Sequence, residues 1–227
     1  MRYKRANIDS LNLSSQTMEA VFIYHQDFTI ETVKSSSIFH PKRWAVTFGR
    51  ALTRNIIEAK IIHTHLGLTL PLKVFANKSK SQTVEFAGLH GYNERSELLL
   101  QTLEALRERL LDARVMRMDV AIDFNGKIPK GITKTLSKLR KPFPCDNTTY
   151  WKTPKEKKTN QKMDIKIYDK SHQAGLDHPL MRLEFVFKPG YLKELQLKDI
   201  ETAYQKMEKS IKKATGLSVK IEPIFSL

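Results

Sequence analysis

Acidic residues alternate with apolar ones in two short stretches of the chain. Residues 117–124 are Arg-Met-Asp-Val-Ala-Ile-Asp-Phe, and residues 182–188 are Arg-Leu-Glu-Phe-Val-Phe-Lys. Successive side chains of a β-strand point to opposite sides of its sheet. As strands, both stretches therefore have one apolar side and one charged side, and the charged sides carry Arg117, Asp119, Asp123, Arg182 and Glu184.

Two more stretches extend this pattern. Residues 165–170 are Ile-Lys-Ile-Tyr-Asp-Lys, which as a strand places Lys166, Tyr168 and Lys170 on one side. Glu85 stands between Val84 and Phe86 and points away from both. When all the apolar sides face one core, these polar side chains share a surface with the acidic residues above. The pattern predicts a carboxylate cluster that contains a tyrosine.

Clustered carboxylates repel one another unless a cation neutralises them. Oxygen ligands favour a hard ion, so we expect Mg²⁺ or Mn²⁺ as the cofactor. Such an ion polarises a phosphate for in-line displacement. A tyrosine hydroxyl, with an ordinary pKa of about 10, needs a nearby cation or base to attack at neutral pH, and the metal, Lys166 and Lys170 are candidates. The alternative is a solvated sheet face with surface ion pairs.

The composition favours a polyanionic partner. The chain has 227 residues, 39 Lys and Arg against 24 Asp and Glu, and a formal net charge of +15. Nucleic acid is the first expectation and an acidic membrane surface the second, because neutralising phosphates releases counterions. The single cysteine, Cys145, excludes an internal disulfide and a cysteine-clustered zinc site. With no long apolar run and a polar N-terminus, we expect a cytoplasmic protein that does not bind membranes.

The periodicity predicts an α+β fold. Short strands are expected at 21–24, 44–48, 84–86, 115–124, 163–170 and 181–188. Helices are expected over 93–112, with Asn93 as N-cap, and over 132–139 and 192–214. We predict a largely antiparallel β-sheet with helices packed on one face, an order that allows two pseudo-repeated lobes. A β-rich part, 1–92, contributes to the sheet and a catalytic part, 93–227, carries the motifs; a single domain over 1–227 stays open.

Basic and aromatic residues lie between these strands. The segments 127–141 and 152–162 are rich in lysine, and Phe143 lies between them. Such a composition suits a groove that follows a phosphate backbone while rings stack on bases, although a solvated loop has the same composition. The candidate DNA-binding residues are Lys127, Lys130, Lys134, Lys138, Arg140, Lys141, Tyr150, Trp151 and Lys152.

The ordered motifs resemble a known family. An Arg-x-Asp-x-x-x-Asp strand at 117–123, Tyr-Asp-Lys at 168–170 and Arg-x-Glu at 182–184 are similar to the signatures of the trans-acting replication initiators of Gram-positive rolling-circle plasmids. That family includes nickases of conjugative elements and initiators of some filamentous phages. The resemblance covers about 84–189. One departure is Trp151-Lys152, where the family usually has an aromatic or aliphatic residue and a glycine.

The resemblance implies a metal-dependent DNA nickase in the bacterial cytoplasm. Tyr168 would attack one strand of origin DNA, single-stranded or melted as in a cruciform, and form a 5′-phosphotyrosine with a free 3′-OH for rolling-circle replication. Host helicase and polymerase are the implied partners, and a homodimer is allowed. The implied roles are metal ligation by Glu85, Asp119 and Glu184, with Asp123 and Asp169 as weaker candidates; phosphate contact by Lys166 and Lys170; orientation of carboxylates by Arg117 and Arg182; and Tyr150 as second-choice nucleophile.

Other interpretations stay open. A DNA-binding replication regulator without catalysis explains the charge and the sheet equally well, and a nuclease that activates water with a metal explains the carboxylates. His63-Thr64-His65 invites comparison with the paired metal histidines of another class of nicking enzyme. Thr64 departs from that motif, which has a bulky apolar residue between the histidines.

Overall fold

The computed structural model describes residues 4–23, 26–35, 56–74, 82–152 and 162–225. The strands are β1 (Lys4–Ser15), β2 (Phe28–Ser35), β3 (Ile56–His63), β4 (Thr69–Val74), β5 (Gln82–Ala87), β6 (Arg114–Asn125), β7 (Phe143–Cys145), β8 (Thr148–Trp151), β9 (Met163–Asp169), β10 (Leu180–Phe187) and β11 (Val219–Ile221). The helices are α1 (Met18–Ile23), α2 (Glu94–Ala105), α3 (Arg107–Leu110), α4 (Lys130–Leu139), α5 (Lys170–Ala174), α6 (Pro189–Leu192) and α7 (Tyr204–Thr215), with a 3-10 helix over Leu197–Ala203.

The described strands form one sheet in the order β2-β3-β4-β5-β1-β6-β10-β9-β8-β7, and β11 pairs with β1. All neighbours are antiparallel except β1 and β11. This confirms the predicted α+β class with its largely antiparallel sheet.

The strand order is symmetric about the β1–β6 pair. In one half the order outward from the centre is β1, β5, β4, β3, β2, and in the other it is β6, β10, β9, β8, β7. Each half begins with a 12-residue strand that is followed by a helix. Two lobes of like connectivity therefore share one continuous sheet, with β1 at its centre. The division of the chain at residues 92 and 93 stays a prediction.

The apolar sides of the central strands form the core, as alternation predicts. Four of these side chains are fully buried and belong to one hydrophobic cluster: Leu11, Phe86, Val120 and Phe185. Leucines of α2 and the apolar side of α7 belong to the same cluster, so helices cover this face of the sheet. Each large side chain buried there contributes roughly 1.5–3 kcal/mol. The opposite face carries the charged residues.

Several predicted elements match the structure. Asn93 caps α2, since its side-chain oxygen accepts a hydrogen bond from the Ser96 amide at 3.0 Å. The expected pair of Glu104 and Arg107 is formed at 3.5 Å. The predicted helix over 93–112 is interrupted at Leu106, where α2 ends and α3 begins. The expected strand at 44–48 lies outside the described residues.

Two expectations about the elements are wrong. Residues 21–23 belong to helix α1, because Met18 and Phe22 have helical i,i+4 spacing and are both fully buried, which outweighs the β-branched residues between them. The predicted helix over 192–214 is three elements, α6, the 3-10 helix and α7. Lys193, with a φ of 48°, ends α6 in a backbone conformation that no helix continues.

Candidate active site

The register of three neighbouring strands gathers many of the predicted site residues on the charged face of the sheet. Arg182 of β10 lies opposite Asp123 of β6 on one side and opposite Tyr168 of β9 on the other. Glu184, two residues along β10, lies opposite Lys166 of β9. Side chains at such positions share one face of a sheet. The charged sides predicted for the three strands therefore meet on one surface.

The first group on this face is the carboxylate–tyrosine cluster, formed by Arg117, Asp119, Lys166, Tyr168 and Glu184. The Tyr168 hydroxyl donates a hydrogen bond to Glu184 Oε2 at 2.8 Å. Arg117 donates two hydrogen bonds to the Asp119 carboxylate, at 2.7 and 2.6 Å. Lys166 Nζ lies 2.6 Å from Glu184 Oε1. The side chains of Asp119 and Glu184 are each 1% exposed, so two carboxylates meet in a region that excludes water.

The environment shifts the pKa values of this cluster. Burial raises the pKa of Glu184, the charge of Lys166 opposes that rise, and contact with the Asp119 carboxylate adds to it. Burial, followed by the charge of Glu184, raises the pKa of Tyr168 far above its ordinary value. The Tyr168 hydroxyl is therefore protonated and donates its hydrogen to Glu184.

The second group is the buried arginine cluster, formed by Asp9, His90, Tyr92, Asp123 and Arg182. The Arg182 side chain is 0% exposed. It donates two hydrogen bonds to Asp123, at 2.7 and 2.8 Å, one to Asp9 at 2.7 Å and one to the His90 carbonyl at 2.9 Å. Tyr92 completes the cluster by donating to Asp123 Oδ2 at 2.6 Å. Arg182 joins β1, β6 and β10 to the 88–93 loop.

Charges within the arginine cluster are compensated. Burial tends to raise the pKa of Asp123, but the hydrogen bonds and charge of Arg182 outweigh it and the pKa is lowered. Burial tends to lower the pKa of Arg182, but its two carboxylate partners, Asp123 and Asp9, outweigh burial and the pKa is raised. For Asp9, burial exceeds the effect of Arg182, so the pKa is raised. A guanidinium held at 0% exposure by three acceptor groups positions its neighbours and does not reach a phosphate.

Glu85 lies on the same face but apart from the carboxylate–tyrosine cluster. It is on β5, opposite Asn12 of β1, and β1 lies between β5 and the Asp119 strand. With neighbouring strands about 4.8 Å apart, β5 is roughly 10 Å from β6 and 14 Å from β10. Its charge acts on Arg117, which lies between Glu85 and the cluster and whose pKa is raised mainly by Asp119.

Two other predicted residues have local roles at the end of β9. Asp169 is the N-cap of α5 and accepts hydrogen bonds from Ser171 and from the His172 amide. The chain turns into that helix at Lys170, so Lys170 leaves the strand on which alternation placed it. Its side chain is buried, and Nζ donates to Gln173 at 3.2 Å. Burial, and then the charge of Arg182, lowers the pKa of Lys170.

A cleft of about 310 Å³ opens on the charged face beside the carboxylate–tyrosine cluster. Its lining includes the cationic side chains of Arg117, Lys152, Lys166 and Lys188 together with the ring of Tyr150. Lys152 Nζ lies 4.1 Å from the centre of that ring. Asp164 also lines the cleft and pairs with Lys188. Cations and an aromatic ring in one cleft suit a nucleic-acid strand.

The remaining predicted DNA-binding residues are elsewhere. Helix α4 packs on α7 through its buried side, Ile132 and Leu136, and so belongs to the helix layer on the other face of the sheet. Arg140 donates to the main-chain carbonyls of Trp151 and Met163, at 3.2 and 2.7 Å. The Trp151 ring, 3% exposed, is part of the core and is not open to a base. The other predicted lysines are exposed and do not line the cleft: Lys127, Lys130, Lys134, Lys138 and Lys141.

Asp119 and Glu184 are the part of the predicted ligand set that meets. In the described ranges no three His, Cys, Asp or Glu side chains are grouped to hold a metal ion. Glu184 Oε1 is buried, and the Lys166 ammonium lies 2.6 Å from it. Mg²⁺ binds through one or two carboxylates while water and substrate phosphate fill its other positions. Two adjacent buried carboxylates are of the right donor type for such an ion. Arg117, Tyr168 and Lys166 hold all four of their oxygens, so an ion bound here would replace one of these partners.

The two histidines of the His63-Thr64-His65 segment lie apart from the carboxylate–tyrosine cluster, since strands β4, β5 and β1 separate β3 from β6. His63 ends β3 and His65 lies in the following turn, with ring centres 6.3 Å apart. His65 Nε2 lies 3.5 Å from Asp27 Oδ1, and His63 contacts the Phe28 ring.

Sequence reasoning missed Asp9, His90 and Tyr92. In β1 the buried apolar residues are at even positions 6 and 8 and then at odd positions 11 and 13. The alternation is interrupted by a register shift between Ile8 and Ser10. That phase change around a single aspartate was the available signal. No sequence pattern singles out Tyr92, because the partner of its hydroxyl, Asp123, lies on β6, 31 residues further along the chain.

None of the described helices is long and apolar enough to cross a membrane. No protein-family model matches the chain, and no curated protein is similar to it. A solved structure titled as a rolling circle replication initiator protein from Geobacillus stearothermophilus superposes with a TM-score of 0.47 and 14% identity, over 81% of this chain and 74% of the other. A second, the Methanococcus jannaschii TBP, has a TM-score of 0.31 and 11% identity, over 92% of this chain and 98% of the other.

Proposed function

We propose that this protein nicks single-stranded or melted origin DNA by tyrosine transesterification and so starts rolling-circle replication. The observation that carries the proposal is the Tyr168 hydroxyl, which donates to the buried Glu184 carboxylate. Lys166, the ion-pair partner of Glu184, lines the adjacent cleft. A surface ion-pair network needs neither a buried carboxylate pair nor a tyrosine hydroxyl directed at it.

The proposed reaction uses Glu184 as the proton acceptor. Tyr168 Oη attacks the phosphorus of one phosphodiester while its proton passes to Glu184. The bond from phosphorus to the 3′-oxygen breaks, which leaves a 5′-phosphotyrosine, and the departing 3′-oxygen takes a proton from solvent. The free 3′-OH is then available to a host polymerase working with a host helicase.

Lys166 connects the cleft to the tyrosine. Its Nζ lies 2.6 Å from Glu184 Oε1 and 5.4 Å from the centre of the Tyr168 ring, and its side chain lines the cleft. Tyr168 is 8% exposed. A phosphate entering the cleft competes with Glu184 for the Lys166 ammonium, and movement of that side chain opens a path to the hydroxyl.

A divalent cation would take the place of Lys166 at Glu184 Oε1. Asp119 and Glu184 would hold Mg²⁺ or Mn²⁺, which when bound supplies charge that polarises the scissile phosphate. We therefore expect chelation to abolish cleavage. Arg117, bound to Asp119 through both carboxylate oxygens, fixes the orientation of that ligand.

Tyr150 is the second candidate nucleophile. It lines the cleft directly, and its strand position lies opposite Lys166. Its ring is half-buried, so it is more open than that of Tyr168. No carboxylate in the described part of the chain accepts a hydrogen bond from its hydroxyl, which favours Tyr168 as the activated group.

The test is cleavage of a 5′-labelled single-stranded oligonucleotide from the protein's own replicon in Mg²⁺ or Mn²⁺. A 3′-labelled copy of the same oligonucleotide is treated in the same way and run on a denaturing gel. We expect a slowly migrating covalent adduct that is absent with Tyr168→Phe and present with the matched control Tyr150→Phe. The reverse pattern transfers the role to Tyr150. Cleavage without an adduct in both variants indicates a water-using nuclease, and tight binding without cleavage indicates a non-catalytic DNA-binding protein.

A further inference from the structure

Tyr92 has an unusual backbone conformation on the charged face. Its φ is 61°, in the left-handed region, and the residue is 43% exposed. Left-handed geometry is unfavourable for a bulky residue and persists where the surrounding structure imposes it, commonly at ligand-binding positions. An exposed ring gains little from burial, so folding alone does not account for a tyrosine here.

The ring is nevertheless held in one place. Its hydroxyl donates to Asp123 at 2.6 Å, and the Arg182 guanidinium lies 5.6 Å from the ring centre. The His90 ring lies beside it, with centres 4.8 Å apart and planes at 57°. Three neighbours therefore fix an aromatic ring that stays partly open to solvent.

The loop that carries Tyr92 is fastened at several points. The Gly88 and Leu89 amides both donate to the Asp9 carbonyl, at 2.9 and 2.8 Å. The Gly91 amide donates to Ser96 Oγ at 2.9 Å, and a Cβ at Gly91 would come within 2.4 Å of that oxygen. Such a loop loses little entropy when a ligand binds to its exposed ring.

The position of the ring relates it to the proposed reaction. Asp123, Arg182 and Tyr168 occupy directly opposed positions on three neighbouring strands. With strands about 4.8 Å apart, the strand that anchors the Tyr92 hydroxyl is roughly 10 Å from the strand of Tyr168. One DNA strand can reach both points on the same face of the sheet.

We propose that Tyr92 is a stacking platform for one unpaired base of the single-stranded DNA, which it holds near the phosphate that Tyr168 attacks. This inference rests on the proposed function and adds a positioning residue to it. The occupant is a nucleobase because an open aromatic ring stacks on any base, while the net charge of +15 attracts the backbone.

The first test is the affinity for a fluorescent single-stranded oligonucleotide, measured by anisotropy in a chelator so that no cleavage occurs. Base stacking on one aromatic side chain corresponds to about 5- to 150-fold in Kd. We expect a loss in this range for Tyr92→Leu and less than twofold for Tyr92→Phe. Tyr191→Leu, which removes a partly exposed tyrosine packed on Phe187 of the core face, is the matched control and should bind like the unchanged protein.

Tyr92→Gly is a second variant that controls for misfolding, because glycine adopts the positive φ without strain. It also lacks the ring. It should bind as weakly as Tyr92→Leu. A photochemical experiment adds a direct readout: an oligonucleotide with 5-iodouracil at successive positions should crosslink to Tyr92 at one position next to the nicked phosphate.

The outcomes separate the two proposals. Unchanged single-strand affinity in Tyr92→Leu and Tyr92→Gly overturns the platform, even where Tyr168→Phe abolishes nicking. An equal loss of affinity for the matching duplex overturns it as well, since stacked duplex bases offer no free face. Weakened single-strand binding with full nicking by Tyr168→Phe supports the platform and refutes the tyrosine assignment.

Discussion

Removal of the Arg182 guanidinium should destabilise the fold strongly. In Arg182→Met the methionine fills most of the volume, but four hydrogen bonds are lost and the carboxylates of Asp9 and Asp123 are left without their cation. The Arg182 side chain is 0% exposed and its partners are 10% and 12% exposed, so solvent replaces little of that interaction.

Breaking a buried ion pair by removing one partner costs about 3–5 kcal/mol. For a domain of this size each kcal/mol lowers Tm by about 2–4 °C, so we expect a Tm roughly 6–20 °C lower. Urea unfolding followed by circular dichroism measures the difference as a lower midpoint with an unchanged slope. Arg182→Lys should lower the free energy of unfolding by less than Arg182→Met, because lysine keeps the positive charge. It should still be less stable than the unchanged protein, because lysine lacks the two nitrogens with which arginine binds Asp123.

Two further variants make the test specific. Arg182→Met combined with Asp123→Asn should recover part of the lost stability, since one uncompensated buried charge is removed. The control Arg95→Met removes an arginine that is exposed and donates one hydrogen bond to the Thr69 carbonyl, and should change stability by less than about 0.5 kcal/mol. A loss of under 1 kcal/mol in Arg182→Met would refute the view that Arg182 organises this face.

Three other predictions follow from the same contacts. Asn93→Ala should lower the free energy of unfolding by about 1 kcal/mol in a urea titration, because the α2 cap is lost, whereas Asn93→Asp should retain it. The nicking rate should rise with pH through a value above 4.5, since burial raises the pKa of Glu184 and only its ionised form accepts the Tyr168 proton; Glu184→Gln, which lacks this acceptor, should nick far more slowly at every pH. Lys152→Gln should reduce the slope of log affinity for single strands against log salt by about 0.7, while Lys198→Gln, at a residue paired with Asp112, should leave it unchanged.

Alternation within a strand was sufficient to place many of the site residues. Asp119, Lys166, Tyr168 and Glu184 lie on the charged face because the apolar residues beside them must enter the core. This inference needs only the period of two and the cost of burying a charge without a partner. It succeeds for β6, β9 and β10, which keep a regular alternation.

Where the backbone departs from regularity, the same inference fails. The shift in β1 hid Asp9, and the turn into α5 removed Lys170 from the strand. The basic helix α4 has the composition of a DNA-binding segment, but its buried side packs on α7, away from the tyrosine. Composition carries no information about the face of the sheet on which a helix packs.

The sequence by itself determined which side chains are polar, which are apolar and how they alternate, because those properties depend on neighbours along the chain. The tertiary structure decided which strands lie side by side. That order brings Glu184 to Asp119, places β1 between Glu85 and both, and brings Tyr92 to Asp123. Pairing between distant strands depends on the packing of the whole core, which no local pattern encodes.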